Sequence, residues 1–231
     1  MDPDTRIGGA ADRFPSTHLS LLEAARSGLA NEALDRVIAL YWKPVYRFIR
    51  FKFGKSNEDA KDLTQAFFAS ALERDFFARF DPDKASFRTY VRMAVERFAA
   101  KRHQADTRQK RGGTVTLEPL DEQAVSTESP ERVFEREWQR QLMALALDDL
   151  RRHCEANGKQ LHFCIFEAYD LAEDDRPSYA ELAARHAIAE TAVNNHLAWA
   201  RRTLRALVIE RLRGVTSGEQ ELREETRRLW T

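Results

Sequence analysis

Apolar positions recur at helical spacing along most of the chain. From Ser86 to His103 they are Phe87, Tyr90, Val91, Ala94, Val95 and Phe98, one helix face over three turns. Ser86 suits the N-cap. The opposite face carries Arg88, Arg92, Arg97, Lys101 and Arg102, with Glu96 as its only acid. An aromatic buried face under an arginine-rich face fits a helix laid on nucleic acid. A solvated amphipathic helix fits it equally.

The same periodicity places the other elements. Residues 1–18 have no apolar repeat and read as a mobile tail. A helix begins near Leu19 and ends at Gly28. A second runs from about Asn31 into Tyr41 and Trp42, with Pro44 marking a start or a kink. Val45, Phe48, Ile49 and Phe53 continue its stripe to Gly54. Ser56 opens a further helix, with Asp59 three residues on in a capping-box arrangement. Leu63, Phe67, Phe68 and Ala71 share one side of that helix. Glu58, Asp59, Asp62 and Gln65 share the other. Such an acidic strip is either solvated surface or a docking strip for a basic partner. Asp81-Pro82-Asp83 is a turn.

Residues 105–130 read as a flexible linker. It is basic first (Arg108, Lys110, Arg111) and acidic later (Glu118, Asp121, Glu122, Glu128), and Gly112-Gly113 breaks it. From Pro130 a helix presents Phe134, Trp138, Leu142, Leu145 and Leu150 inward and ends at Asn157-Gly158. The next carries Leu161, Phe163, Ile165, Phe166 and Tyr169. Ser178 then caps a short helix with Leu182 and Ala183. His186-Ala187-Ile188 forms a turn, and a second helix starts near Ala189 with Ala192, Val193 and Leu197 inside. That is a helix-turn-helix pattern, whose second helix would enter a major groove; an αα-hairpin without DNA is the alternative. The residues after Gly214 form a charged extension with Leu222, Leu229 and Trp230. The expectation is an all-α protein of two helical domains. They are 19–104 and 131–213, joined by the flexible linker, with the helix-turn-helix in the second and an extension at 214–231.

Composition adds limits. The 231 residues are 43% hydrophobic, enough for real cores. Basic and acidic residues number 37 each, so any affinity for nucleic acid must come from local segregation of charge. No long apolar run or signal peptide is visible, so neither secretion nor a membrane is expected, and the compartment implied is the cytoplasm. His153, Cys154, His162 and Cys164 match no zinc spacing, and the two cysteines read as core positions. No nucleophile–base pair or phosphate-cradling glycine loop stands out, so no enzyme, cofactor or metal is expected.

Two segments carry a resemblance. Asp59-Ala-Lys-Asp-Leu-Thr-Gln-Ala-Phe-Phe68, followed by Ser86-Phe-Arg-Thr-Tyr-Val91, resembles the core-binding and promoter-melting segments of bacterial sigma factors of the extracytoplasmic-function (ECF) type. That family's pattern is roughly D-A-E-D-L-x-Q-x-x-F, then F-R-x-W-L. Gln109-Lys-Arg-Gly-Gly113 and Pro130-Glu-Arg-Val-Phe-Glu-Arg-Glu-Trp138 resemble one subset with this linker.

The resemblance implies core RNA polymerase and promoter DNA as partners. Glu58, Asp59, Asp62 and Gln65 would dock on polymerase. Arg88, Tyr90, Arg92, Arg97, Lys101 and Arg102 would meet the minus-ten element, where a flipped base is held. Glu190, Thr191, Asn194 and Asn195 would read the minus-thirty-five element, with Arg201, Arg202 and Arg205 on phosphates. Tyr90 stands at the family's Trp position, Arg97 where Asn is frequent, and Asn194 where Lys is frequent. Lys61 replaces a Glu of the family pattern and weakens the acidic strip. Phosphorylation of Thr64 would add about −1.5 to −2 charge and restore it. The helical wheel, however, puts Thr64 beside Phe67 and Phe68, as a core threonine. A Ser/Thr kinase or an anti-sigma factor is the implied controlling partner. A helix-turn-helix regulator that does not join polymerase is the alternative function. An interaction protein using only the acidic helix, such as an anti-sigma decoy, is a third.

Overall fold

The computed structural model describes residues 30–73, 76–77, 79–110 and 128–230. The expected tail at 1–18, the helix near Leu19 and linker positions 111–127 lie outside them. Among the described residues the fold is all-helical, with no strand. The helices are α1 (Ala30–Phe53), α2 (Asn57–Glu73), α3 (Phe87–Lys110), α4 (Pro130–Ala156), α5 (Gln160–Asp170), α6 (Tyr179–His186), α7 (Glu190–Gly214) and α8 (Glu219–Leu229).

Two expectations about boundaries change. Pro44 neither starts nor ends a helix, since α1 runs through it. Proline removes one backbone donor, but Val37, Leu40, Tyr41, Val45, Phe48 and Ile49 keep one buried stripe on both sides of it. Helix α3 continues to Lys110, six residues into the expected linker. No proline or glycine intervenes before Gly112, so nothing in the chain stops it.

The helix starts follow their caps. Ser56 Oγ accepts from Asp59 N at 3.1 Å, Ser86 Oγ from Thr89 N at 3.2 Å, and Ser129 Oγ from Arg132 N at 3.3 Å. In α4 the proline sits at the first helical position, where its missing N–H costs nothing. Gly54 and Gly158 close their elements at positive φ, 55° and 64°.

The described chain divides into two compact units. One comprises the residues up to Gln141 together with those from Arg213 onward; the other is Leu142–Leu212. The first half of α4 and the C-terminal extension thus belong with α1–α3, whereas the sequence pattern grouped 131–213 together. The first unit is an aromatic core. Phe87 meets Tyr41 at 5.7 Å and Phe80 at 5.2 Å between ring centroids, Phe67 meets Phe98 at 5.7 Å, and Phe48 meets Phe134 at 5.9 Å. Most are edge-on, the favoured geometry for ring quadrupoles.

Thr64 belongs to this core. It is fully buried, and its hydroxyl donates to the Ala60 carbonyl at 2.7 Å. The core-threonine reading is the one the structure matches; a kinase would meet no accessible hydroxyl in this arrangement. The second unit buries Leu150, Cys154, Phe163, Ile165, Phe166, Leu182, Val193 and Leu197. Cys154 fits its expected core place, but Cys164 is exposed, because the buried positions of α5 are Phe163, Ile165 and Phe166.

The burial of Thr64 sets a stability prediction. Thr64→Glu puts an unpaired charge in the aromatic core and should cost about 3 kcal/mol or more. Thr64→Val keeps the shape and loses one hydrogen bond, about 1 kcal/mol. Thermal melts followed by circular dichroism distinguish the two; a Thr64→Glu protein as stable as the parent would contradict the packing described.

Candidate functional site

Three surfaces collect the residues singled out by the sequence. The first is the polar side of α2. Its apolar side is spent on Phe67, Phe68 and Ala71, so Glu58, Asp59, Asp62 and Gln65 are all exposed. Lys61 lies 3.7 Å from Glu58, one turn along the same helix. It therefore neutralises part of the strip locally, in keeping with the weakening expected of a lysine there.

The second surface is α3, and it splits into two halves. In the middle turns Arg97, Lys101 and Arg102 are exposed, with the Arg102 guanidinium 5.3 Å from the centre of the Phe98 ring. In the first turns the cations are engaged. Arg88 is only 7% exposed. Its Nε lies 3.0 Å from Glu135, its Nη1 2.9 Å from Glu225, and its guanidinium 4.4 Å from the Trp138 ring centre. Arg92 lies 3.7 Å from Glu131. Tyr90 is half-buried, and its hydroxyl donates to the Phe76 carbonyl at 2.8 Å. Burial holds that phenol above its ordinary pKa. In this conformation Arg88 faces carboxylates rather than phosphates, a commitment the spacing of α3 alone could not show.

The third surface is the pair α6 and α7. Ser178 accepts from Glu181 N at 3.2 Å while the Glu181 carboxylate accepts from Ser178 N at 2.7 Å, a complete capping box. Ala187 takes the left-handed conformation at φ 53°, and Ile188 N donates to the Ala183 carbonyl at 3.0 Å. Three residues separate the helices. Leu182, Ala183, Val193 and Leu197 are buried, which leaves Glu190, Thr191, Asn194 and Asn195 exposed on the opening turns of α7. Arg202 and Arg205 are exposed further along. Arg201 is held by Asp170 through two hydrogen bonds, of 2.8 and 2.7 Å. Such a bidentate pair orients a guanidinium strongly, so Arg201 is tied to α5.

A family comparison covers all three surfaces. The sequence model for the ECF sigma factor matches residues 17–209. The chain belongs to the ECF sigma factor family. Neither a curated protein nor a solved structure matches it. As an ECF sigma factor it acts in transcription initiation, with RNA polymerase and promoter DNA as the partners its family implies. Among the described residues no helix is long and apolar enough to cross a membrane. No group of three or more metal-binding side chains is assembled among them either.

Sequence reasoning missed the carboxylates around Arg88 and the Asp170 anchor of Arg201. Spacing alone showed only that Glu221 and Leu222 each share a helix face with Glu225, at i,i+4 and i,i+3, and not what that face meets. It also missed a histidine pair in the second unit. The His162 and His196 rings lie 4.1 Å apart, edge to face, and His162 also packs on Trp199 at 4.8 Å. Both Nδ1 atoms are buried without a hydrogen-bond partner. Desolvation first, then neighbouring cationic groups, holds both imidazoles below their ordinary pKa.

The neutral forms are therefore the ones that suit the fold. Their contribution to stability is present above the unfolded value of 6.5 and is lost as pH falls through the lowered folded values. Amide protection factors over Phe163–Phe166, corrected for the intrinsic pH dependence of exchange, should fall between pH 7 and pH 5, and less so in a His162→Gln variant. An equal fall in parent and variant would show that the pair does not carry the effect.

Proposed function

We propose that this ECF sigma factor binds core polymerase through the α2 strip of Glu58, Asp59, Asp62 and Gln65. Promoter melting then uses the exposed half of α3, with Arg97, Lys101 and Arg102 on phosphates near the minus-ten element and Tyr90 at its edge. Glu190, Thr191, Asn194 and Asn195 read the minus-thirty-five element from the opening turns of α7, in a helix-turn-helix mode, with Arg202 and Arg205 on the backbone. Arg88, Arg92 and Arg201 need new partners before they can touch DNA. The cytoplasm is the compartment this work requires.

One observation supports the reading above the others. The same unit of an ECF sigma factor exposes an acidic strip on one helix and a cationic strip on the next, and only a protein that meets both polymerase and DNA uses both. Asn194 and Asn195 suit adenine, which takes a bidentate pair from an amide; Glu190 suits cytosine N4. A Ser/Thr kinase acting at Thr64 would need α2 to leave the core first. An anti-sigma factor covering the exposed strips needs no such step, and it is the form of control favoured here.

Run-off transcription with purified core polymerase and a promoter library tests this. The parent protein should initiate at specific promoters without modification. Asp59→Lys with Asp62→Lys should reduce co-migration with core polymerase at least tenfold while leaving DNA binding intact. Arg97→Gln with Lys101→Gln should leave core binding intact and reduce open complexes. DNA binding without core binding in the parent would instead favour a regulator that works apart from polymerase.

A further inference from the structure

The C-terminal helix α8 places two carboxylates on the start of α3. Glu221 accepts from the backbone N–H of Phe87 at 3.2 Å, and Glu225 sits 2.9 Å from Arg88. A free helix-start N–H beside an arginine is the donor set that a phosphate group takes up. Here the donors at the N-terminal end of the DNA-facing helix are filled from within the chain, from residues more than 130 positions away.

The attachment is weakly built. Only Leu222 and Glu225 of α8 are buried. An isolated helix of 11 residues is marginal in water. Around Arg88 four polar atoms are buried without an aligned hydrogen bond: the Tyr41 hydroxyl, the Trp138 indole N–H, Arg88 Nε and Glu225 Oε2. Arg88 Nε is close to Glu135 and Glu225 Oε2 is close to Arg88, but charge proximity does not replace aligned hydrogen bonds for desolvated groups. Burial also holds the Glu225 carboxyl above its ordinary pKa, despite the arginine beside it. A contact needed only for stability would be better served by apolar side chains of the same volume.

We propose that α8 is an autoinhibitory strap. Its carboxylates Glu221 and Glu225 stand in for nucleic-acid phosphate at the start of α3, and its release frees Arg88 and the Phe87 N–H for DNA. The strap rests on the reading of α3 as the DNA-facing helix.

The test uses the full chain with Glu221→Gln and Glu225→Gln together, with and without Arg88→Gln. Hydrogen exchange over 219–229 reports release of the strap, and fluorescence anisotropy of a labelled single-stranded oligonucleotide reports binding. A matched control, Glu219→Gln with Glu224→Gln, changes net charge equally on the exposed side of the same helix. The strap pair should speed exchange over α8 and tighten binding several-fold. The control pair should do neither, and Arg88→Gln should cancel the gain. An equal gain in the control, a gain that survives Arg88→Gln, or unchanged exchange overturns the strap. If the pair loses its helical signal, Glu221→Gln alone asks the same question through the Phe87 N–H. Faster exchange with unchanged binding, in a parent that does bind, overturns the strap alone. Absence of binding in every variant overturns the strap and the reading of α3 together.

Discussion

A buried guanidinium organises the first unit. Arg88 stands at the second position of α3 with its plane against Trp138 and with Glu135 and Glu225 as counter-charges. A desolvated cation over an indole is worth about 2 kcal/mol, but an unpaired one would cost more than that. With α8 docked, Arg88 therefore ties α3, α4 and α8 together. Phe87, its neighbour in sequence, joins Tyr41, Phe76, Phe77 and Phe80 in one aromatic cluster. Two adjacent residues thus anchor the start of α3.

That anchoring explains why the helix behaves as two halves. Its first turns are fixed by Phe87, Arg88, Val91 and the Tyr90 hydroxyl; beyond Val95, among the described side chains, only Ala99 is fully buried. The middle turns then project Arg97, Lys101 and Arg102 into solvent from a rigid base. A helix can present charge accurately only when its other end is held. Helix α2 follows the same logic with the opposite sign. Its aromatic side locks it down through Phe67 and Phe68, and the burial of Thr64 extends that lock. Its acids are left outside. Zero net charge for the whole chain is therefore no obstacle to two oppositely charged exposed strips.

Much of this was legible from residue spacing. The apolar periodicity placed α2, α4, α5, α6 and α7 close to where they stand, because each buries a single face, and α2, α4 and α6 also begin at a serine or proline signal. The exposed polar side of α2 and the opening turns of α7 followed from the same wheel. Arg88 was not legible, because periodicity separates faces by charge and cannot see that a charged face has an acidic partner. Glu225 lies 137 positions away, and no local rule links the two. At Pro44 a helix start was one of the two readings, and tertiary burial on both sides of the proline outweighed one missing hydrogen bond, so the helix runs through it. The extra turns of α3 were missed because the linker was drawn from its charge and composition, although no proline or glycine precedes Gly112.

The second unit solves the presentation problem with charge rather than aromatic burial. Its long helix α7 is fixed near the middle by the bidentate Arg201–Asp170 pair and near its end by Arg211 on Asp149, at 2.5 Å. Asp149 is almost fully buried and also accepts from Arg152 at 2.6 Å, so it is a shared acceptor rather than a surface ion pair. Losing it would strand the mostly buried Arg211 guanidinium, which is why such a node orients a helix better than a single exposed pair does. With its middle and end held by arginines, α7 keeps its opening turns free of internal salt bridges. Glu190, Thr191, Asn194 and Asn195 can then offer uncharged amides, a hydroxyl and one carboxylate to base edges. In the proposed reading of the minus-thirty-five element, that arrangement would select by hydrogen-bond pattern and leave bulk attraction to the cations further along.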